Sequence, residues 1–388
     1  MKQGWQIKKL GEVCEMYQPK TISTKEMVEN GAHPVFGANG IIGKYDKYNH
    51  EEPQLLITCR GATCGSVNIS EPKSWINGNA MVVRSKDNSI DFRFLEYLFR
   101  GGIDLSKVIT GAAQPQITRQ ALIPIEISYP KSLEEQQRIV SILDRAFSAI
   151  DKAKANAEQN LRNAKELFES YLQGVFESGN ENWEVNCLDE LGTITSSKRI
   201  YKSEYVKEGV PFYRTKEIKE LSNGKPITLE LFISRQRYEE IKQSFGVPKI
   251  GDLLMSAVGT IGEIMVIENE DEFYFKDGNI VWFKNFDSLD TNYLKYALTA
   301  FVEKIKSLAI GAAYSALTIE KLNKYQISFP KSKTEQQTIV RQLDALRAET
   351  QKLEAVYQKK LEDLEELKKS ILQKAFAGEL KTEKALAV

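Results

Sequence analysis

Basic side chains stand beside aromatic and amide side chains at several predicted turns, a combination that suits contact with a polyanion. Lys and Arg neutralise phosphates, while Arg, Asn and Gln can pair with base edges. The candidates in the first half are Lys20, Lys44, Lys47, Arg60, Asn77, Asn79 and Arg84. Those in the second half are Lys198, Arg199, Lys202, Arg214, Lys216, Arg235, Arg237 and Asn279. For any single residue, a surface ion-pair network is the commoner explanation.

Two glycine-led loops share their first residues and differ at their tips. Gly111–Ile117 reads GAAQPQI and Gly311–Leu317 reads GAAYSAL, so Gln114 and Gln116 stand where Tyr314 and Ala316 stand. A common frame with different tips is expected of two readers of different nucleic-acid sequences. Packing of each loop onto a neighbouring helix would explain the same pattern. We add Gln114, Gln116 and Tyr314 to the candidate contacts.

Motifs for catalysis and metal binding are missing from the sequence. It contains no G-x-x-x-x-G-K-[ST], no G-x-G-x-x-G after a strand and no G-x-S-x-G. The two histidines, His33 and His50, lie outside the repeated motifs, and Cys59 and Cys64 have no second ligand pair at zinc-binding spacing. We predict no catalytic site, metal or cofactor in this chain. An enzyme built on acidic residues remains an alternative.

Composition predicts a globular protein and gives no hint of its partner. Lys+Arg and Asp+Glu both number 53, so net charge does not point to nucleic acid. Hydrophobic residues make up 42% of the chain, enough for substantial cores. The sequence has no apolar run of membrane-spanning length and no apolar leader at its start. We therefore expect a soluble, cytoplasmic protein with no membrane partner.

The positions of these candidates depend on an internal repeat. Residues 127–144 read ISYPKSLEEQQRIVSILD, and residues 327–344 read ISFPKSKTEQQTIVRQLD. Each copy opens with a Trp–Leu–Glu signature, continues through short β-branched and aromatic runs that predict strands, and ends in a long helical pattern. Such a repeat predicts two copies of one structural unit related by a pseudo-two-fold axis.

The two helical patterns predict a coiled coil. Ser132 and Thr334 are plausible N-caps, and Gly179 and Gly378 are expected to end the helices. Apolar residues recur at alternating spacings of three and four, as in a heptad seam. The predicted seam consists of Leu143, Phe147, Ile150, Leu161, Phe168 and Tyr171 in the first helix and Leu343, Leu346, Leu353, Tyr357, Leu364 and Ile371 in the second. An ordinary long helical hairpin is the simpler alternative.

The chain resembles the specificity subunit of type I restriction-modification systems over essentially its whole length. The resemblance is carried by W-x4-L-x-E-[VL] at Trp5 and Trp183, by the P-K-S-x-x-E-Q-Q-x-I-V-x-x-L-D stretch present twice, and by the terminal Ala375–Leu380. It implies an α+β fold with two variable, sheet-containing target-recognition domains separated by a long antiparallel two-helix coiled coil. The expected segments are 1–130 and 181–330 for these domains, and 131–180 and 331–388 for the spacer helices and tail.

The resemblance also implies a function and a set of partners. Each recognition domain would read one half of a bipartite, interrupted target in double-stranded DNA, and the helices would fix the gap. Two methylation (M) subunits would dock on the helices and repeated segments, and restriction (R) subunits would join them. S-adenosylmethionine, ATP and magnesium would be used by those partners. The alternatives are a coiled-coil adaptor whose two globular ends bind proteins and, without partners, self-association of the chain.

Overall fold

The computed structural model describes residues 3–111, 114–179, 181–308 and 317–380. The chain divides into two compact units. The first consists of Met1–Glu158 with Gln358–Val388, and the second of Gln159–Tyr357. Both units contain part of each long helix, so the division cuts across the four predicted segments, which remain a prediction.

The first unit contains three sheets. Its strands are β1 (Trp5–Lys9), β2 (Cys14–Tyr17), β3 (His33–Gly37), β4 (Gly40–Tyr45), β5 (Leu55–Thr58), β6 (Val67–Ile69), β7 (Trp75–Ile76), β8 (Ala80–Ser85) and β9 (Glu126–Pro130). Its helices are α1 (Leu10–Val13), α2 (Phe92–Tyr97), α3 (Arg119–Leu122), the start of α4 (Leu133–Ser178) and the end of the second long helix, with a π-helical turn at Leu98–Gly102 and 3₁₀ turns at Thr24–Glu26 and Leu105–Val108. The sheet orders are β2-β8-β5-β6, β4-β3-β7 and β1-β9.

The central sheet of the first unit is buried on both faces, which explains the continuous apolar run in β5. Leu55 and Ile57 pack into the core that includes the helices, while Leu56 faces Phe36 and Ile76 of the three-stranded sheet. Successive side chains of a strand point to opposite faces, so a strand covered on both sides needs apolar residues at every position.

The second unit repeats the strand order of the central sheet. Its strands are β10 (Glu184–Cys187), β11 (Thr193–Thr195), β12 (Tyr205–Val206), β13 (Val210–Tyr213), β14 (Phe232–Ile233), β15 (Leu253–Ser256), β16 (Ile264–Val266), β17 (Tyr274–Phe275), β18 (Ile280–Lys284) and β19 (Gln326–Phe329). Its helices are the end of α4, α5 (Leu188–Leu191), α6 (Thr215–Ser222), α7 (Arg235–Ser244), α8 (Thr291–Leu308), α9 (Ile319–Asn323) and the start of α10 (Lys333–Phe376), with a 3₁₀ turn at Lys202–Glu204. The order β11-β18-β15-β16 matches that of the first unit.

The two long helices run antiparallel within each unit. In the first unit Lys154 of α4 pairs with Glu365 of α10 at 2.6 Å, and Lys368 pairs with Asp151 at 3.4 Å. In the second unit the guanidinium of Arg347 lies over the ring of Phe168 at 4.8 Å. The predicted α+β class, with two sheet-containing units and two long antiparallel helices, is confirmed.

The seam between the helices differs in detail from the predicted one. Leu143, Phe147, Ile150, Phe168 and Leu343 are buried as expected. The intermediate positions are Leu161, Leu346, Tyr357, Leu364 and Ile371. Tyr171 and Leu353 were placed wrongly, since they are 41% and 42% exposed. Leu172 and Thr350 are buried instead.

The repeated Glu-Gln-Gln motif joins each helix to its own unit. Gln136 accepts a hydrogen bond from the main-chain N–H of Asp91 at 2.7 Å and donates to the carbonyls of Ser89 and Pro130 at 3.0 and 2.9 Å. Gln336 makes the same three bonds with Asp290, Ser288 and Pro330. Both side chains are fully buried, so the motif is repeated because the same junction is built twice.

The start of the second long helix corrects one predicted cap. α10 begins at Lys333, and the main-chain N–H groups of Glu335 and Gln336 donate to the carbonyl of Ser332. Ser332 therefore precedes the helix as Ser132 precedes α4, and Thr334 lies inside the first turn. In the part of the chain that the structure describes, no helix has both the length and the apolar character needed to cross a membrane.

Candidate nucleic-acid interface

A turn after β5 forms the centre of the candidate interface in the first unit. The main-chain N–H of Cys59 donates to the carbonyl of Asn79 at 3.1 Å, and the N–H of Ile117 donates to the carbonyl of Cys59 at 2.9 Å. The N–H of Gly61 donates to Pro115 at 3.0 Å. Three chain segments that are far apart in sequence are thereby held together by main-chain bonds, and their side chains are free to differ.

The second unit builds the same arrangement. The N–H of Ala257 donates to the carbonyl of Asn279 at 2.8 Å, and the N–H of Leu317 donates to Ala257 at 3.3 Å. Ala257 thus corresponds to Cys59, Asn279 to Asn79 and Leu317 to Ile117. Tyr314, at the tip of the matched loop, lies outside the described residues.

Four candidates of the first unit come together at this turn. Arg60 and Gln116 form an isolated antiparallel bridge, and Gln114 and Asn79 lie on the adjoining segments. Arg60, Asn79 and Gln114 are exposed. Within the described ranges, no carboxylate lies within salt-bridge distance of Arg60, so its guanidinium is available to an anion or a base edge.

Two other candidates of the first unit are committed elsewhere. Arg84 pairs with Glu15 at 2.7 Å and lies over the ring of Tyr17. Asn77 is buried, and its amide both accepts from and donates to the main chain of Ile22. An amide used in this way cannot read a base, so we remove Asn77 from the candidate contacts.

Three lysines complete the candidates of the first unit. Lys20, Lys44 and Lys47 are exposed, and Lys44 lies on β4. As far as the structure describes the chain, none of the three has a carboxylate within salt-bridge distance, which suits contact with phosphate.

Most basic candidates of the second unit are engaged in ion pairs. Arg199 pairs with Asp277 at 2.8 Å, Arg237 pairs with Glu204 at 2.8 Å, and Arg235 pairs with Glu272. The remaining described candidates without a carboxylate partner are the exposed Lys198 and Lys202, while Asn279 is half-buried. In the free chain these three arginines therefore belong to surface ion-pair networks, the commoner explanation given above for single basic residues. Their contacts with DNA remain a prediction.

Arg214 and Lys216 share one carboxylate in the second unit. Arg214 pairs with Glu217 and with Glu230, both at 2.7 Å, and Lys216 reaches Glu230 at 2.9 Å. Hydrogen bonds from Lys216 and Arg214 lower the pKa of Glu230 below its usual value. A phosphate would have to displace this carboxylate, which makes both cations weaker candidates than Arg60.

Neither a metal centre nor a reactive thiol is built around these residues. Among the described positions, no three His, Cys, Asp or Glu side chains are grouped closely enough to hold a metal ion. Burial raises the pKa of the Cys59 thiol to about 11, so the thiol is protonated at neutral pH.

One residue of this interface escaped the sequence analysis. Val258 follows Ala257 as Arg60 follows Cys59, and it is 40% exposed. The signal that could have found it is the pair of strand-to-glycine turns, since Arg60-Gly61 and Val258-Gly259 both come just after a buried strand. A search for basic residues alone passes over a valine.

The family model for the type I restriction modification DNA specificity domain matches this chain twice, over residues 2–160 and 180–363. The chain belongs to this family. The two matches begin with the first strand of each unit and run into the long helices, so the repeat in the sequence corresponds to two specificity domains. The resemblance found in the sequence is confirmed.

Relatives of known description agree with this assignment. A Haemophilus influenzae protein that bears the name of a type I restriction enzyme specificity subunit is 31% identical over 324 residues, covering 81% of this chain and 80% of that protein. The Methanocaldococcus jannaschii type I restriction enzyme MjaVIII specificity subunit is 23% identical over 411 residues, covering 98% and 93%.

Solved structures share the fold. A chain from a structure of complex assembly and conformational transition in a type I R-M system has a TM-score of 0.77 at 19% identity, covering 98% of this chain and 99% of that one. The HsdS subunit from Thermoanaerobacter tengcongensis has a TM-score of 0.60 at 20% identity, covering 98% of each chain. At these identities the likeness concerns the fold alone.

Proposed function

We propose that this specificity subunit reads a bipartite, interrupted target in double-stranded DNA, one half with each unit, and performs no catalysis itself. The observation that carries the proposal is the turn built twice on one main-chain frame, at Cys59 and at Ala257. The side chains on the two frames differ, as two half-sites of different sequence require. S-adenosylmethionine, ATP and magnesium would then be used by partner subunits.

We further propose that two methylation subunits dock on surfaces that occur in both copies. Leu167 and Leu367 occupy the same place in the repeat and are 51% and 47% exposed. Ile7 and Val185, on the matched strands β1 and β10, are 51% and 60% exposed. Exposed apolar residues at equivalent positions contribute little to the fold, and they suit a partner that binds twice. Restriction subunits would join the resulting complex.

This docking can be tested by stoichiometry. Leu167→Glu and Leu367→Glu should each reduce the number of methylation subunits per chain from two to one in native mass spectrometry. Leu133→Glu is the matched control, because Leu133 is also exposed but its counterpart is Lys333. Two bound methylation subunits in both Leu167→Glu and Leu367→Glu would contradict the assignment of this surface.

DNA recognition is tested by co-expressing the chain with its adjacent methylation subunit and mapping methylated adenines across the host genome. Methylation confined to one interrupted, two-part sequence is expected. Because many basic side chains of the free chain are engaged in ion pairs, the chain alone should bind DNA weakly. Sequence-specific nanomolar binding by the isolated chain at physiological salt would contradict that part of the proposal.

The second candidate function is a coiled-coil adaptor whose globular ends bind proteins, favoured by the ion-paired surface of the second unit. Salt separates the two functions. A complex that reads DNA releases counterions from the phosphates when it binds, and this release is less favourable at high salt. Its affinity for DNA should therefore fall steeply as the salt concentration rises. An adaptor would retain no DNA at any salt concentration.

A further inference from the structure

Arg60 and Val258 occupy equivalent positions in the two units. β5 and β15 end at Thr58 and Ser256, which face Ala80 and Ile280 on the matched neighbouring strands. The next residues, Cys59 and Ala257, are buried and make the same two main-chain hydrogen bonds. The side chain after them is therefore presented from the same place in both frames.

Each side chain lies on a tight turn that continues into a glycine of positive φ. Gly61 and Gly259 follow with φ of +90° and +81°, a conformation that side-chain-bearing residues rarely adopt. In the first unit the bond from Gly61 to Pro115 and the bridge from Arg60 to Gln116 hold the turn against the neighbouring loop. Arg60, on a turn held in this way, loses little further backbone freedom when it meets a ligand.

The position is shared, but the chemistry of the two side chains differs. A guanidinium can donate two parallel hydrogen bonds to O6 and N7 of guanine, the commonest specific contact in the major groove. Valine has no donor and can contact only an apolar group, which on a base edge is the methyl group of thymine. Arg60 has no carboxylate within salt-bridge distance in the described parts of the chain, unlike Arg84, Arg199 and Arg235.

We propose that this position selects a base in each half of the target. Arg60 selects a guanine in the half-site read by the first unit, and Val258 selects a thymine in the half-site read by the second. The inference rests on the proposed function and adds to it two base identities and the residues that determine them. Gln116 faces Arg60 across the isolated main-chain bridge.

The test uses the complete methylation complex and the motif that the wild-type complex methylates. Initial methylation rates are measured on duplexes that carry the motif and on duplexes with one base pair changed at a time. For Arg60→Ala, discrimination at one G·C pair of one half-site should fall by about 5- to 150-fold. Arg60→Gln should lose the same guanine preference. Val258→Arg should change the preferred base at one position of the other half-site only.

Lys20→Ala is the control, since an exposed lysine that meets phosphate should weaken binding equally on all sequences. Unchanged discrimination at every position in Arg60→Ala and Arg60→Gln, or loss of discrimination in both half-sites, would overturn the assignment. If the Arg60 variants methylated nothing, Val258→Arg would decide. A changed base preference at one position only would keep the assignment, and changed preferences at many positions would reject it. A wild-type complex that methylates no interrupted motif would instead reject the proposed function, and this inference with it.

Discussion

Replacing Gln136 by leucine should lower the free energy of opening the junction between α4 and the first unit by about 3 kcal/mol. The side chain is fully buried and makes three hydrogen bonds, at 2.7, 3.0 and 2.9 Å. Each such bond contributes about 1 kcal/mol net. Leucine has a similar volume, so the loss comes from the main-chain groups of Asp91, Ser89 and Pro130 that are left without a partner.

Amide hydrogen exchange measures this effect locally. In Gln136→Leu the peptide 127–144 should open about 150-fold more often, the factor that corresponds to about 3 kcal/mol. The matched peptide 327–344 serves as an internal control and should be unchanged, and Gln336→Leu should reverse the pattern. Gln137→Leu is the control variant, because Gln137 is exposed and surface substitutions stay within about 0.5 kcal/mol.

The reasoning would be refuted if Gln136→Leu exchanged no faster than Gln137→Leu. It would also be refuted if both peptides accelerated equally in Gln136→Leu. The first result would mean that water or a rearranged backbone replaces the three bonds. The second would mean that the motif acts on the whole chain rather than on one junction.

Further predictions concern packing, thiol chemistry and the target gap. Gly101→Val should destabilise the first unit by about 1–3 kcal/mol in urea unfolding, because a Cβ there would lie 2.6 Å from Cδ1 of Leu372. Gly174→Ala is the control and should be neutral or stabilising, because a Cβ there would meet nothing within 4 Å. Cys59 should be alkylated far more slowly at pH 8 in the native chain than in urea, because burial raises its pKa to about 11 and the reactive thiolate is scarce below that value. Equal alkylation rates in the two states would contradict this. Deleting the same number of whole helical turns from α4 and α10 should shorten the gap in the methylated motif and leave both half-sites unchanged. A constant gap with altered half-sites would contradict the role of the helices as a spacer.

Much of the fold could be predicted because it is encoded in local patterns that occur twice. The heptad-like spacing and the Glu-Gln-Gln motif recur at an offset of two hundred residues, and they predict both long helices. One error lies where a helical stripe has two neighbouring apolar positions. Tyr171 and Leu172 both fit the spacing, and only the packing of the second unit shows that Leu172 is the buried one.

The candidate interface was less predictable, for a different physical reason. Whether a basic residue is available to DNA depends on carboxylates that are distant in sequence, such as Glu15 for Arg84 and Asp277 for Arg199. The role of Asn77 depends on Ile22 in the same way. The turn at Arg60 could be anticipated from its glycine, but its equivalence with Val258 follows only from main-chain bonds that a sequence does not display.

The central claim is that each unit reads its own half of the target, and a domain exchange tests it most directly. Residues 1–130 are replaced by the corresponding segment of a specificity subunit with a different known target, and methylated adenines are mapped with the unaltered methylation subunit. The account predicts a new two-part motif in which one half-site is replaced while the other is kept. A change in both half-sites, or methylation of the original motif, would contradict the account.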